Sequence, residues 1–168
     1  MRHWAMAFGV FVIAGLTGCT SMSEYDTVCY RPVVEIDRVI DGFHGAASRA
    51  DFDAYFSLWE PDSVFLGTDA SERWVGDEFK AFARPYFEKG KGWTYVPRQR
   101  VWTMIKPGAM QFDELLTNDK LGTCRGSGVL VQRDGQWKVL QYNLSIPVPN
   151  DIADQVAGQI RGHQPVQR

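Results

Sequence analysis

Carboxylates beside aromatic residues are the side chains of this sequence best suited to acid–base chemistry. Asp69 and Glu72 are three residues apart and stand next to Arg73 and Trp74. Burial against an aromatic surface disfavours the carboxylate anion, so such a group can exchange protons near neutral pH. A structural interpretation stays open, in which Asp69 caps a turn through its own backbone and Glu72 pairs with Arg73 in solvent.

A second pair of carboxylates, Asp113 and Glu114, lies within a predicted strand, so the two side chains point to opposite faces. Glu114 shares its face with Met110 and Phe112, and we therefore predict that Glu114 points inward. A carboxylate among apolar side chains needs a partner, and Arg125 on the next strand is the candidate. The predicted Glu114–Arg125 pair would be either structural or a clamp for a ligand.

Aromatic residues could line the mouth of a cavity, although such groups belong to the core more often than to a binding site. The candidates are Trp74, Trp93 and Tyr95. An enzyme would also need a hydrogen-bond donor for a developing oxyanion, and Tyr95 could supply it.

The last predicted strand offers two amides for ligand binding, Gln141 and Asn143, which alternate on one face with Trp137 and Val139. Asn143 cannot transfer a proton but can orient a carbonyl or hydroxyl group. The same alternation predicts that Tyr142 points to the opposite face, outside the pocket.

Motifs for nucleophilic, phosphate-binding or zinc chemistry are absent: the sequence has no G-x-S-x-G, no P-loop and no H-E-x-x-H. The three histidines are dispersed, and His44 is predicted to lie on the surface of the first helix. We therefore predict no metal site and no cofactor.

Three helices are predicted ahead of most of the strands. The first follows Pro32 and has an apolar stripe at helical spacing, the second begins after an N-cap at Asp51, and the third covers about 77–88 with Pro85 inside it. The stripe of the second helix extends to Trp59, which we expect to be buried between helix and sheet.

Strands are predicted at 63–68, 93–105, 109–117, 122–133 and 137–146, with turns at Pro107-Gly108 and Asp134-Gly135. The order of helix, helix, strand, helix and a four-stranded meander indicates an α+β fold with helices on one face of a curved antiparallel sheet.

The composition of the 168 residues fits one compact domain, with 45% hydrophobic and 13% aromatic residues. The formal net charge is −2. Without a basic run, nucleic-acid binding is not expected.

The N-terminus predicts an export signal rather than a structural element. A basic start precedes a short apolar run, which ends at Leu16-Thr17-Gly18-Cys19. This site resembles the lipobox of bacterial lipoproteins, which implies cleavage before Cys19, lipidation of Cys19 and attachment to a membrane. Because Thr20 follows the cysteine, the resemblance favours the periplasmic face of the outer membrane if the cell is Gram-negative. A disulfide between Cys29 and Cys124 and two unpaired thiols both stay open.

Several segments together resemble the SnoaL-like branch of the nuclear transport factor 2-like superfamily, covering most of residues 33 to 152. They are DFDAYF (51–56), FLGTDASERW (65–74), FEKGKGWTY (87–95), FDE (112–114) and residues 137–149. The resemblance implies a cone-shaped fold with three N-terminal helices packed on the sheet. The domains are then a signal peptide (1–18), a lipidated tether (19–31), the SnoaL-like domain (32–152) and a polar C-terminal tail (153–168).

Three functions are compatible with this resemblance, because a shared fold does not determine a reaction. The first is binding of a small apolar or amphipathic molecule in an aromatic-lined pocket. The second is a cofactor-independent isomerase, lyase or cyclase, with Asp69 or Glu114 as the base and Tyr95 or Asn143 as the donor. The third is a protein-interaction module that uses the open sheet face, where the family also forms homodimers.

Overall fold

The computed structural model describes residues 24–163, with side chains from residue 33 onward. The elements in chain order are α1 (Glu24–Ser48), α2 (Phe52–Ser57), β1 (Trp59–Leu66), β2 (Arg73–Val75), α3 (Asp77–Phe87), β3 (Val96–Lys106), β4 (Ala109–Asn118), β5 (Gly122–Arg133), β6 (Gln136–Ser145), a 3-10 turn (Asn150–Ile152) and α4 (Ala153–Gly162). The α+β prediction is confirmed.

One six-stranded sheet forms, in the order β2-β1-β6-β5-β4-β3. Neighbouring strands are antiparallel except for β1 and β6, which run parallel. The parallel pair arises because β1 precedes α3 and the meander, and the last strand of the meander returns beside β1. The short edge strand β2 was not predicted.

Helix α1 packs on the sheet through the predicted stripe, since Ile36, Ile40, Phe43 and Ala47 are all buried. The helix begins at Glu24, inside the segment predicted as a tether, and Pro32 lies within it instead of at its first turn. The N-cap of α2 is confirmed, because the Asp51 carboxylate accepts a hydrogen bond from the Ala54 N–H at 3.1 Å.

Trp59 is buried as predicted, but it lies in β1 and not at the end of α2. Helix α2 ends at Ser57 because β6 captures the following backbone: the Val139 N–H donates to the Leu58 carbonyl at 2.8 Å, and Trp59 pairs with Val139. The Trp59 ring packs near those of Phe43 and Tyr55.

Strand β6 contains an irregularity that reverses the side-chain alternation. Val129 of β5 pairs with Gln141, and Leu130 pairs with Val139, so Leu140 is an extra residue in β6. A bulge of this kind moves every later side chain to the other face.

The bulge makes the predicted placement of Gln141 and Asn143 wrong. Trp137 and Val139 point into the core, but Tyr142 replaces Gln141 on the inner face and is 2% exposed. Gln141 and Asn143 pair in register with β5 residues on the outer face, where Gln141 lines a shallow depression beside Asp113.

The predicted signal peptide and its Cys19 lie outside the described residues, as does the side chain of Cys29. Cys124 is a buried free thiol. Helix α4 occupies the first ten residues of the predicted polar tail. Among residues 24–163, no helix is long and apolar enough to cross a membrane.

Candidate functional site

A cavity of about 170 Å³ lies between the helices and the inner face of the sheet. Eight of its thirteen lining residues are aromatic: Phe43, Tyr55, Phe65, Phe79, Phe82, Trp93, Tyr95 and Tyr142. An apolar cavity of this size can hold a molecule with a single aromatic ring. The predicted site residues Trp93 and Tyr95 are both among the residues of this wall.

Polar groups of the cavity wall come from different elements. His44 stands on α1, Tyr55 on α2 and Tyr142 on β6, while Thr68 and Glu72 stand in the turn between β1 and β2. An aromatic cavity with a few converging polar groups is the usual form of a small-molecule site.

The buried carboxylate of Glu114 is held directly behind this wall. Its Oε1 lies 2.7 Å from Nε2 of His44 and accepts a second hydrogen bond from the Tyr142 hydroxyl at 3.1 Å. Glu114 and His44 are 1% and 6% exposed. Since His44 and Tyr142 line the cavity and Glu114 does not, the carboxylate acts on the cavity through these two side chains.

Arg100 of β3 neutralises the other side of this carboxylate. Its Nε donates to Glu114 Oε2 at 3.0 Å, and its Nη1 lies 3.0 Å from the carboxylates of both Asp37 and Asp41 on α1. Asp37 also accepts a 2.8 Å hydrogen bond from the indole of Trp102. A continuous polar network therefore joins α1 to the sheet.

The charges of this network favour an ionised carboxylate. Burial alone would raise the pKa of Glu114, but the hydrogen bond and charge of His44, together with those of Arg100, outweigh burial and lower that pKa. Burial and then the charge of Glu114 raise the pKa of Tyr142 well above its usual value. Of the two neutral tautomers of His44, the one whose Nε2–H donates to the ionised Glu114 has its lone pair on Nδ1.

The Tyr55 hydroxyl is a buried polar group of the cavity wall that makes no hydrogen bond with the described residues. Burial is the main reason that its pKa is raised well above the usual value; the indoles of Trp93 and Trp59 oppose this effect without reaching hydrogen-bond geometry. A buried hydroxyl without a partner costs about 1–3 kcal/mol, which a bound molecule could recover.

The inward orientation of Glu114 is confirmed, but its predicted partner is wrong. In the β4–β5 register Glu114 lies opposite Gly126, and Arg125 lies opposite Leu115. Arg125 is therefore on the outer face and exposed, so the predicted clamp does not form. Gly126 makes room for the network, because a Cβ there would lie 2.8 Å from Glu114 Oε1.

Asp69 and Trp74 do not line the cavity. Asp69 is exposed, and its carboxylate accepts hydrogen bonds from the backbone and hydroxyl of Ser71, which matches the turn-capping interpretation. Trp74 stacks on the outer side of Phe82, with ring centroids 4.8 Å apart. The acidic residue of this turn that lines the cavity is Glu72.

His44, Arg100 and Tyr55 were not among the predicted site residues. His44 was assigned to the helix surface, yet it follows Ile36 and Ile40 at eight and four residues, which places it on the buried stripe. Arg100 lies on the inner face of β3 between the exposed residues Gln99 and Val101, and alternation in the sequence gave no signal for this, because the apolar Val101 points outward and the charged Arg100 inward.

Comparison with known proteins gives one family. The model of the SnoaL-like domain matches residues 36–149. No curated protein sequence matches the chain.

Solved structures share the fold at low sequence identity. A protein with a cystatin-like fold from Caulobacter vibrioides is 17% identical, with a TM-score of 0.62, covering 76% of this chain and 97% of its own. A protein from Novosphingobium aromaticivorans, provisionally named a scytalone dehydratase, is 14% identical, with a TM-score of 0.60 and coverages of 76% and 89%. One from Streptomyces avermitilis, provisionally named a dehydratase of the NTF2-like family, is 13% identical, with a TM-score of 0.61 and coverages of 71% and 99%.

Proposed function

The chain belongs to the SnoaL-like domain family, and we propose that its domain binds a small apolar or amphipathic molecule in the aromatic cavity. The observation that carries the proposal is the unpartnered Tyr55 hydroxyl in the wall of a cavity of about 170 Å³. Aromatic walls supply apolar contact, and the hydroxyl supplies one directional hydrogen bond. A ligand with one ring and one polar group matches both features.

Mass spectrometry of small molecules retained by the domain, purified from its host, tests this proposal. Leu144→Trp fills the cavity from β6, and Thr68→Trp obstructs it from the exposed side. Both variants should lose a molecule that the wild type retains, whereas the outer-face control Gln141→Ala should keep it. Equal retention by all four proteins, with circular dichroism showing intact folds, would place the molecule outside the cavity.

A second function, acid–base catalysis of the lyase or isomerase type, is favoured by the 2.7 Å contact between His44 and Glu114. In this proposal His44 Nδ1 removes a proton from the bound molecule, and the ionised Glu114 stabilises the imidazolium that forms. The Tyr55 hydroxyl donates to an oxygen that gains negative charge. Two of the structural relatives are provisionally named dehydratases, and dehydratases are lyases.

His44→Gln separates catalysis from binding. Glutamine keeps a polar group near Glu114 but cannot take the proton, so turnover of a retained molecule should fall at least 100-fold while its retention persists. Turnover that survives in this variant would exclude His44 as the base.

We propose further that the domain works in the cell envelope, attached through lipidated Cys19. The support is the Leu16-Thr17-Gly18-Cys19 site at the end of an apolar run. Cys19→Ala should accumulate as unprocessed precursor without attached lipid, measured by metabolic labelling with a fatty acid and by gel mobility. Normal processing and unchanged detergent partitioning of the variant would contradict the anchor.

A further inference from the structure

We infer that the molecule bound in the cavity carries a positive charge, as a small ammonium ion held between Glu72 and the aromatic wall. The inference rests on the proposed binding function and adds the charge class of the ligand. The features that support it are the charges of the lining, the placement of Glu72, and the rings that surround the remaining space.

The cavity lining is electrostatically one-sided. Glu72 is a carboxylate of the wall, and among the described residues no lysine or arginine lines the cavity. His44, another ionisable residue of the wall, is hydrogen-bonded to Glu114. An anionic ligand would meet the Glu72 charge without compensation, so the wall selects against anions.

Glu72 is placed at the cavity by its own turn. Its backbone accepts from the Gly67 N–H at 2.9 Å, and its Oε2 accepts from the Asp69 N–H at 3.3 Å. The side chain lies against Gly67, where a Cβ would overlap with the carboxylate. The expected pairing with Arg73 is wrong: among the described residues, Glu72 forms no salt bridge with lysine or arginine.

The remaining wall suits a cation because it is made of π surfaces. Phe65 and Phe79 are stacked in parallel at 4.3 Å, and Trp93 stands near Phe79 with the ring centroids 6.4 Å apart. A cation within about 6 Å of a ring face is attracted by the ring quadrupole, most strongly by tryptophan. Aromatic walls with one carboxylate are the surroundings that stabilise a partly desolvated ammonium group.

Two hydroxyls complete the site for an amine with N–H groups. The unpartnered Tyr55 oxygen can accept one hydrogen bond. Tyr95 lies within the field of Glu72, since burial first, and then electrostatic interaction with Cys124 and Glu72, raise its pKa. A ring-bearing amine can therefore use the rings, one carboxylate and the Tyr55 hydroxyl together.

A series of matched probes tests the charge directly. Benzylamine, benzyl alcohol and benzoate share one ring and differ in charge at pH 7. Titration calorimetry at low salt should give benzylamine a dissociation constant at least tenfold lower than that of benzyl alcohol, with no measurable binding of benzoate. High salt should reduce the difference between the dissociation constants of benzylamine and benzyl alcohol.

Glu72→Gln assigns the preference to its residue. The variant should bind benzylamine at least tenfold more weakly and benzyl alcohol as before, which also shows that the cavity is intact. Glu88→Gln, at the exposed end of α3, is the matched control and should leave both constants unchanged.

The outcomes separate the inference from the proposed function. Equal binding of benzylamine and benzyl alcohol by the wild type, or a preference that persists in Glu72→Gln, overturns the cationic ligand while the cavity remains a binding site. Binding of none of the three probes overturns both.

Discussion

Glu114 affects both the stability of the domain and the orientation of the polar side chains that line the cavity. It has no exposed side-chain area and contacts His44, Arg100 and Tyr142. A buried ion pair contributes little net stability compared with an apolar pair of the same shape, but removing one partner leaves the other charge uncompensated. The network is thus better explained by orienting His44 than by holding the fold together.

Glu114→Ala should destabilise the domain by about 2–5 kcal/mol, because Arg100 Nε, His44 Nε2 and the Tyr142 hydroxyl lose their buried acceptor and a cavity remains, while Asp37 and Asp41 still pair with Arg100. Urea unfolding at pH 7 measures the change. Replacing both residues together, as Glu114→Leu with Arg100→Met, should recover much of the loss. If the double variant is as unstable as the sum of the two single changes, the two residues are not coupled, and loss of their ion pair does not explain the instability of the single variant.

The lowered pKa of Glu114 gives the stability a defined pH dependence. In the unfolded chain the pKa of the Glu114 carboxyl group returns to about 4.3. Between the folded and the unfolded pKa, the unfolded state therefore binds more protons. The stabilisation is fully present above about pH 4.3 and is lost as the pH falls through the folded value. Unfolding free energies from pH 7 to 3 should fall less steeply in Glu114→Gln than in the wild type; parallel curves would rule out this contribution.

At the scale of elements, the site depends on two strand features. The bulge at Leu140 brings Tyr142 to the inner face of β6, and Gly126 of β5 leaves the space that Tyr142 and Glu114 share. A Cβ at position 126 would meet the Tyr142 hydroxyl and Glu114 Oε1.

Gly126→Ala should therefore cost about 1–3 kcal/mol through overpacking and should disturb the hydrogen bond of Tyr142. Thermal unfolding and the ultraviolet spectrum of the tyrosines report these two effects. Gly158→Ala in the exposed helix α4 is the control and should stabilise slightly, since alanine has the higher helix propensity. If Gly126→Ala leaves the stability of the domain unchanged, β5 and β6 can move apart at this point without cost.

Local sequence patterns correctly predicted features that depend only on neighbouring residues, such as the direction of a strand side chain or the start of a helix. The alternation around Met110 and Phe112 correctly predicted an inward Glu114, and Asp51 was correctly predicted as an N-cap. The bulge at Leu140 does leave a signal, because the apolar positions change from 137 and 139 to 140, 142 and 144, but the prediction assumed an uninterrupted alternation. The predicted roles of Gln141 and Asn143 followed from that uninterrupted alternation.

Contacts between segments that are distant in the chain could not be predicted in this way. His44 and Glu114 are 70 residues apart, and Asp37 and Arg100 are 63 apart. Such partners depend on the angle at which α1 crosses the sheet, which periodicity does not give. Strand order alone therefore predicted Arg125 as the partner of Glu114, and the register of β4 and β5 places Arg125 on the outer face.

At the scale of the whole molecule, the fold encloses a small aromatic space and surrounds it with polar groups from α1, α2, the β1–β2 turn and β6. The aromatic clusters that make the walls also form the core, so the cavity is rigidly framed. The family supplies this frame, and the side chains that line it determine what is bound.

The most direct test of the central claim, that the cavity binds a small molecule, is a titration of the domain with benzyl alcohol followed by NMR of the indole N–H groups. The indole of Trp93 belongs to the cavity wall, whereas that of Trp102 is hydrogen-bonded to Asp37 on the far side of the network. A saturable shift of the Trp93 signal, with the Trp102 signal unmoved and the response lost in Leu144→Trp, is the predicted result. A Trp93 signal that does not respond, or responds without saturation together with Trp102, would contradict the binding site.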